Sequence, residues 1–335
     1  MDSAFEERYD RSNYISVIRA KDFLIESGIN AAKNYASPKN PDRIIVMGMG
    51  GSGMGGKLLQ TYLDTPIEII QDYKCEGKIT SKTLIFVCSY SGETEEALTF
   101  FSEVSVSNAK LFVITSGGSL KKNAQAKNVP IIQINPNVAP RSAAISMFFA
   151  IMQVLINGNT IPNQDEAINK LLAYFRTKSS MNAIEEYAKS LALKIEGNVP
   201  LVYTTKKLQT VGYCWKAQMN ENSGSHCFLS LLPELCHNEI NAFMRPGPYY
   251  IIFLVDERDS KRMKERVDAL RNTLNEIGVH NSMILVKGQT DLGKIMSTFH
   301  LGELISYYLS LRYLKDPMDT NIIESFKAEL GKKKF

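Results

Sequence analysis

The chain has 335 residues, a formal net charge of +4 and 44% hydrophobic residues. That length and composition suit two ordinary domains with a substantial core and exclude a disordered or fibrous chain. The nearly balanced charge excludes a basic nucleic-acid face; the one tight basic run, residues 332–334, reads as a solvated tail. No apolar run approaches a membrane span. The first ten residues are polar and acidic, unlike a signal peptide. Five cysteines, odd in number and without a C-x-x-C pair, point to a reducing cytoplasm.

In chain order, apolar spacing at Ile15, Ile18, Phe23, Leu24 and Ile29 predicts a helix over residues 13–35, ended by Pro38 and Pro41. Strands are predicted at residues 43–47, 67–71, 83–88, 110–115 and 131–134, with helices near 57–62, 93–101 and 120–127. This alternation implies a parallel sheet covered by helices on both faces. An apolar helix over 141–156 and one or two more over 163–194 follow. The second half repeats the theme: strands at 200–204, 249–255 and 282–286, and helices at 207–220, 260–277 and 297–314. The expected division is a first domain at 1–155, a helical connection at 156–194 and a second domain at 195–335.

Residues 43–57 are the organising stretch. A buried strand runs into Gly48-Met49-Gly50-Gly51-Ser52-Gly53, whose glycines are expected to turn tightly and let a ligand approach. A strand, a glycine-rich turn and a helix together aim backbone N–H groups at an anion, most simply a phosphate. The same residues match G-x-G-x-x-G, and Asp72 falls about where a ribose-binding acid would. An NAD-binding oxidoreductase is therefore the rival reading.

A second cluster favours a terminal phosphate. Ser89-Tyr90-Ser91-Gly92-Glu93-Thr94 follows the strand at 83–88. One hydroxyl suffices to cap a helix, whereas Ser89, Ser91 and Thr94 together suit the three oxygens of a phosphate monoester. A dinucleotide site has no evident use for them.

These motifs resemble a sugar isomerase (SIS) domain. The later Pro140-Arg141-Ser142-Ala143, Asn220-Glu221-Asn222 and Pro233-Glu234-Leu235-Cys236-His237-Asn238-Glu239 resemble the bifunctional phosphoglucose/phosphomannose isomerase family, over about residues 44–327. The resemblance implies an α/β chain of two tandem SIS-type domains, each a mostly parallel sheet flanked by helices. It implies interconversion of glucose 6-phosphate and mannose 6-phosphate with fructose 6-phosphate, without cofactor or metal, by a cytoplasmic homodimer. Gly51, Ser52, Ser89, Ser91 and Thr94 would hold the phosphate. Arg141 would lie beside the reacting carbons, Glu221 would move the proton, and His237 of the other subunit would open the ring. Thr320 would be linked to the mannose epimer and Lys327 to the ring oxygen. Cys236 stands where the family more often carries Asn. A non-catalytic SIS module that senses a sugar phosphate is a further alternative.

Chemistry agrees with these roles. A carboxylate can carry a proton between adjacent carbons. A guanidinium can stabilise an enediolate, and a histidine can exchange a proton near neutral pH. Taken singly, each residue also has an ordinary explanation. Glu221 ranks no higher than Glu234 or Glu239, His237 is one of four histidines, and Arg141 fits a simple ion pair. Thr320 beside Asp319 fits a helix N-cap, and Lys327 an ordinary surface lysine.

Overall fold

The computed structural model describes residues 3–63, 65–245 and 247–331, so the basic run at 332–334 lies outside the described residues. The chain forms two compact units. One comprises Arg19–Lys178 with Gly288–Ile295; the other comprises Met1–Ile18, Ser179–Lys287 and Met296–Phe335. They interleave along the chain, so the first 18 residues group with the second half of the sequence.

Three helices open the chain: α1 (Ser3–Tyr9), α2 (Tyr14–Arg19) and α3 (Lys21–Ala32). The helix predicted over 13–35 is thus two. Ala20, with ψ of 43°, leaves helical space between them. The Asp10 carboxylate caps α2 by accepting from the N–H groups of Tyr14 and Ile15 at 2.7 and 2.9 Å.

The unit containing Arg19–Lys178 then runs β1 (Arg43–Gly48), α4 (Gly50–Tyr62), β2 (Glu68–Ile70), β3 (Thr83–Cys88), α5 (Glu95–Val104), β4 (Lys110–Thr115), α6 (Gly118–Ala126), β5 (Ile131–Gln133), α7 (Ala143–Asn157) and α8 (Asp165–Arg176). Its sheet is parallel throughout, in the order β2-β1-β3-β4-β5. One sheet face, with Ile45, Met47, Ile85, Val87 and Val113, buries Phe100, Phe101 and Leu120 of α5 and α6. Each such side chain contributes about 1.5–3 kcal/mol of apolar burial. The apolar helix α7 packs against α3 and α4.

The glycine-rich segment is a helix, not the tight turn expected from its composition. Only Gly50 among its glycines has a left-handed φ, +47°. The others are there for contact: a Cβ on Gly53 would fall 2.2 Å from the Gly48 carbonyl oxygen. One on Gly55 would fall 2.7 Å from that of Ala144, and one on Gly56 2.6 Å from Val46 Cγ1. Glycine weakens a helix interior by about 1 kcal/mol per residue; here it lets α4 sit against β1 and α7.

The other unit continues from α9 (Lys178–Ile195) through β6 (Val199–Thr205), α10 (Gln209–Gln218), β7 (Phe228–Leu232), β8 (Tyr249–Asp256), α11 (Lys261–Glu276), β9 (His280–Val286), α12 (Asp291–Arg312) and α13 (Asn321–Leu330). Its parallel sheet has the order β7-β6-β8-β9, matching β2-β1-β3-β4. The architectural repeat expected from the sequence is therefore present over four strands, and β5 has no counterpart. Strand β7 and helices α1 and α13 are additions to the elements expected.

Candidate active site

In the glycine-rich unit, the chain reverses its direction of travel across the sheet between β1 and β3, and such switch points gather ligands beyond the strand ends. The pairing register puts Gly48 opposite Cys88, so both strands finish together. The first turn of α4 and residues 89–94 therefore emerge side by side. The link is direct: the Tyr90 N–H donates to Ser52 Oγ at 3.0 Å.

The hydroxyls are tied into one local network. Ser89 Oγ accepts from the Gly92 N–H at 3.1 Å and donates to Thr94 Oγ1 at 2.9 Å. Ser52 and Thr94 each accept one hydrogen bond, and each oxygen keeps its own hydrogen to give. Thr94 precedes α5 yet makes no side-chain cap, so capping does not account for it. Ser91 is exposed, and its Oγ accepts from the Glu93 N–H at 3.2 Å. The Glu93 carboxylate accepts from the Ser119 N–H and hydroxyl at 2.7 and 3.1 Å, at the start of α6. The first turn of α4 has neither an acidic residue nor a side-chain cap, as suits an anion.

Arg141 belongs to the same assembly. It lies in the turn before α7 and is 7% exposed. A Cβ on Gly51 would stand 2.8 Å from Arg141 Cα and 3.0 Å from the Pro140 carbonyl oxygen. Tyr90 ties the approach to this turn: its hydroxyl donates to the Val138 carbonyl at 2.6 Å and accepts from the Val138 N–H at 3.1 Å. Burial pushes the Tyr90 phenol above its ordinary range, partly offset by the Val138 bond, so it serves as a neutral latch. Gly51, Ser52, Tyr90 and Arg141 thus close a ring of contacts. Asp72, the acid of the dinucleotide reading, is exposed, and its carboxylate accepts from the adjacent Tyr73 N–H at 2.6 Å.

The remaining expected residues lie in the other unit. Glu221 sits half-buried in a π-turn, Met219–Ser223, that widens the end of α10; such widened turns recur at functional sites. Its neighbours are pinned. Asn220 Oδ1 accepts from the Cys227 N–H at 3.0 Å, Asn222 Nδ2 donates to Ser306 Oγ at 2.8 Å, and Ser223 Oγ donates to the Met219 carbonyl at 2.6 Å. His237 follows β7 in a short 3-10 turn, Glu234–His237, and is exposed. Two residues on, Glu239 accepts from the buried Tyr203 hydroxyl at 2.7 Å.

Thr320 immediately precedes α13 and makes no cap; Asp319 does the capping, accepting from the Asn321 N–H at 3.0 Å. Lys327 is 63% exposed and pairs with Glu324 at 2.9 Å. None of the residues of α13 is buried, and Ile322 and Phe326 stand 87% and 67% exposed.

At the strand ends of this unit, where β6 and β8 repeat β1 and β3, a carboxylate takes the central place. Asp259, 8% exposed, accepts from the Asp256 N–H at 3.0 Å. The Thr205 hydroxyl donates to it at 3.4 Å, and Lys207 Nζ lies 3.8 Å away.

Two parallel α/β units, one with a cluster of hydroxyls at its strand ends, define a double SIS-domain protein. Residues 39–157 match the SIS domain, and residues 184–330 match the bacterial phospho-glucose isomerase C-terminal SIS domain. A bifunctional phosphoglucose/phosphomannose isomerase of Caldicellulosiruptor bescii is 30% identical over 91% of this chain and 94% of its own length. One of Aquifex aeolicus is 30% identical over 86% and 90%. The chain belongs to the bifunctional phosphoglucose/phosphomannose isomerase family. The fold is shared with a hypothetical protein of Thermus thermophilus, with a TM-score of 0.71 at 14% identity over 98% of this chain and 90% of that one.

Proposed function

We propose that this chain is an aldose–ketose isomerase that interconverts glucose 6-phosphate and mannose 6-phosphate with fructose 6-phosphate. The observation that supports this reading is the in-register ending of β1 and β3, which groups the hydroxyls of Ser52, Ser89 and Thr94 beyond the strand ends. A phosphate monoester presents the matching acceptors, with Ser91 and the Gly51 N–H adding to the grip.

Ring opening is assigned to His237, which passes a proton to the ring oxygen and takes up the anomeric hydroxyl proton in exchange; Lys327 assists at the ring oxygen. Glu221 then takes the C2 proton of the open aldose and returns it to C1, and the O1 and O2 protons redistribute through a cis-enediol. The Arg141 guanidinium stabilises the enediolate charge, which develops only during the proton transfer. Rotation about the C2–C3 bond beside Thr320 lets the same base serve both epimers. His237 acts on the substrate of a second copy, so the working form is a homodimer. Its setting is the cytoplasm. Among the described residues, no helix is long and apolar enough to cross a membrane.

The test is a coupled assay of fructose 6-phosphate formation from each aldose phosphate, with Glu221→Gln in parallel. Loss of both activities with retained sugar-phosphate binding is expected. Unchanged turnover in Glu221→Gln would remove the proposed base.

A further inference from the structure

We propose that Lys315 is a positioning residue that locks the turn bearing Glu221 to the loop bearing Thr320. The inference rests on the isomerase reading above and deepens it.

The chain leaves α12 through Leu314, whose φ is +55°, and the Lys315 N–H returns to the Ser310 carbonyl at 2.9 Å. This reversal aims the Lys315 side chain back at the π-turn. Nζ lies 3.3 Å from the Glu221 carbonyl oxygen and 3.1 Å from that of Asn222. On its other side it lies 3.1 Å from the Asp316 carbonyl and 2.9 Å from that of Asp319. A single ammonium therefore bridges main-chain oxygens of two segments remote in sequence. One segment holds the proposed base; the other ends one residue before Thr320.

The surroundings fit a built clamp. The carboxylates of Asp316 and Asp319 accept from the Met318 and Asn321 N–H groups at 2.9 and 3.0 Å. Gly224 closes the π-turn at φ +72°, and a Cβ there would meet Lys315 Cδ and Cε at 3.4 Å. Asn222, bonded to Ser306, fixes the next residue to α12 from another direction. An ammonium among carbonyls makes charge-assisted bonds, roughly twice as strong as neutral ones. It also balances carbonyl dipoles at the C-terminal end of a helix, where a cation is favoured.

The two segments have distinct proposed tasks: proton transfer at C1 and C2, and tolerance of either epimer. Coupling them fixes where the base stands relative to the rotating C2–C3 bond. Lys315 thereby bears on which aldose epimer a common enediol returns.

The experiment measures the initial ratio of mannose 6-phosphate to glucose 6-phosphate formed from fructose 6-phosphate, with kcat and KM, for wild type, Lys315→Met, Lys315→Arg and Glu221→Gln. In Lys315→Met, kcat is expected to fall by about tenfold or more, KM to stay within about twofold, and the product ratio to shift by at least about threefold, since misplacement near 1 Å costs up to about 100-fold. Lys315→Arg, which keeps charge and donors, recovers part of the ratio. A partly unfolded sample lowers kcat but leaves the product ratio where it was. A ratio unchanged in Lys315→Met therefore overturns the proposal, whatever happens to kcat. Should that variant yield too little folded protein, Lys315→Gln is read by the same ratio and the same criterion. Full turnover in Glu221→Gln instead sinks the assignment of the base, so the two failures are separable.

Discussion

Gly51 and Arg141 touch through their main chains. The absent Cβ of Gly51 would stand 2.8 Å from Arg141 Cα. The first turn of α4 and the turn that carries Arg141 are thus set against each other by a missing methyl group. Backbone on both sides leaves nothing flexible to give way. Gly51→Ala is expected to lower kcat by about 100-fold, the scale of a 1 Å displacement. Steady-state kinetics beside a denaturation curve checks this; a fall in stability alone would point to packing without placement.

Ser89 and Thr94 share one hydrogen bond but differ in what they hold. Ser89→Ala removes one of two acceptors of the buried Gly92 N–H, leaving it the Ser89 carbonyl at 3.2 Å. It is expected to lose about 1 kcal/mol of stability as well as raise KM. Thr94→Ala removes a hydroxyl that caps nothing but accepts from Ser89 Oγ; it is expected to raise KM about tenfold, for one charge-assisted bond, and to cost less stability than Ser89→Ala, which loses two hydrogen bonds against one. Urea unfolding and KM for fructose 6-phosphate, measured on both variants, separate the two.

The assignment of His237 to a neighbouring copy predicts complementation. Glu221→Gln and His237→Ala are each expected to be inactive as homodimers. Mixed and reassembled, they form some sites with an intact set of groups, because a two-fold interface exchanges the same patch both ways. Recovered activity on mixing is the expected result; none would place His237 in the same chain as its substrate.

Alkaline stability carries a signature of burial. Removal from water pushes the Cys227 thiol from its ordinary 9.0 up to about 12. The unfolded chain releases this proton first, so the folded state binds more protons between those values. The contribution is fully present below the ordinary thiol range and is lost as pH rises towards the folded value. One such group changes the slope by up to about 1.4 kcal/mol per pH unit. Cys227→Ala is expected to flatten the fall in unfolding free energy by up to that amount across this range, measured by urea titrations. Cys88, pushed up by complete burial, maintains part of the slope.

The strand ends were legible in the sequence because β-branched runs with glycine and hydroxyl boundaries are local signals. Strands β3 and β4 fall on the expected residues, and the hydroxyls of Ser89 and Thr94 cluster as their spacing suggests. The glycine-rich helix misled because composition reports backbone freedom, whereas Gly51, Gly55 and Gly56 serve close packing against Arg141, Ala144 and Val46 on other elements. Strand β7 was hidden: Phe228-Leu229-Ser230-Leu231-Leu232 is short and lies at a sheet edge, without clean alternation. Helix α13 buries no residue, so no tertiary face shaped its pattern. Lys315 had no signal at all, since a lone lysine after a helix looks like any solvated one.

Asp259 gives the tandem architecture its asymmetry. Where one sheet leaves hydroxyls and amides to welcome a visitor, its sister has swallowed a carboxylate of its own, held by the Asp256 N–H and the Thr205 hydroxyl. That sheet therefore has an acidic side chain near its strand ends where the first has Ser52, Ser89 and Thr94. A calorimetric titration is expected to count a single sugar phosphate per polypeptide, which leaves the second unit to carry Glu221 and His237, the groups proposed to move protons.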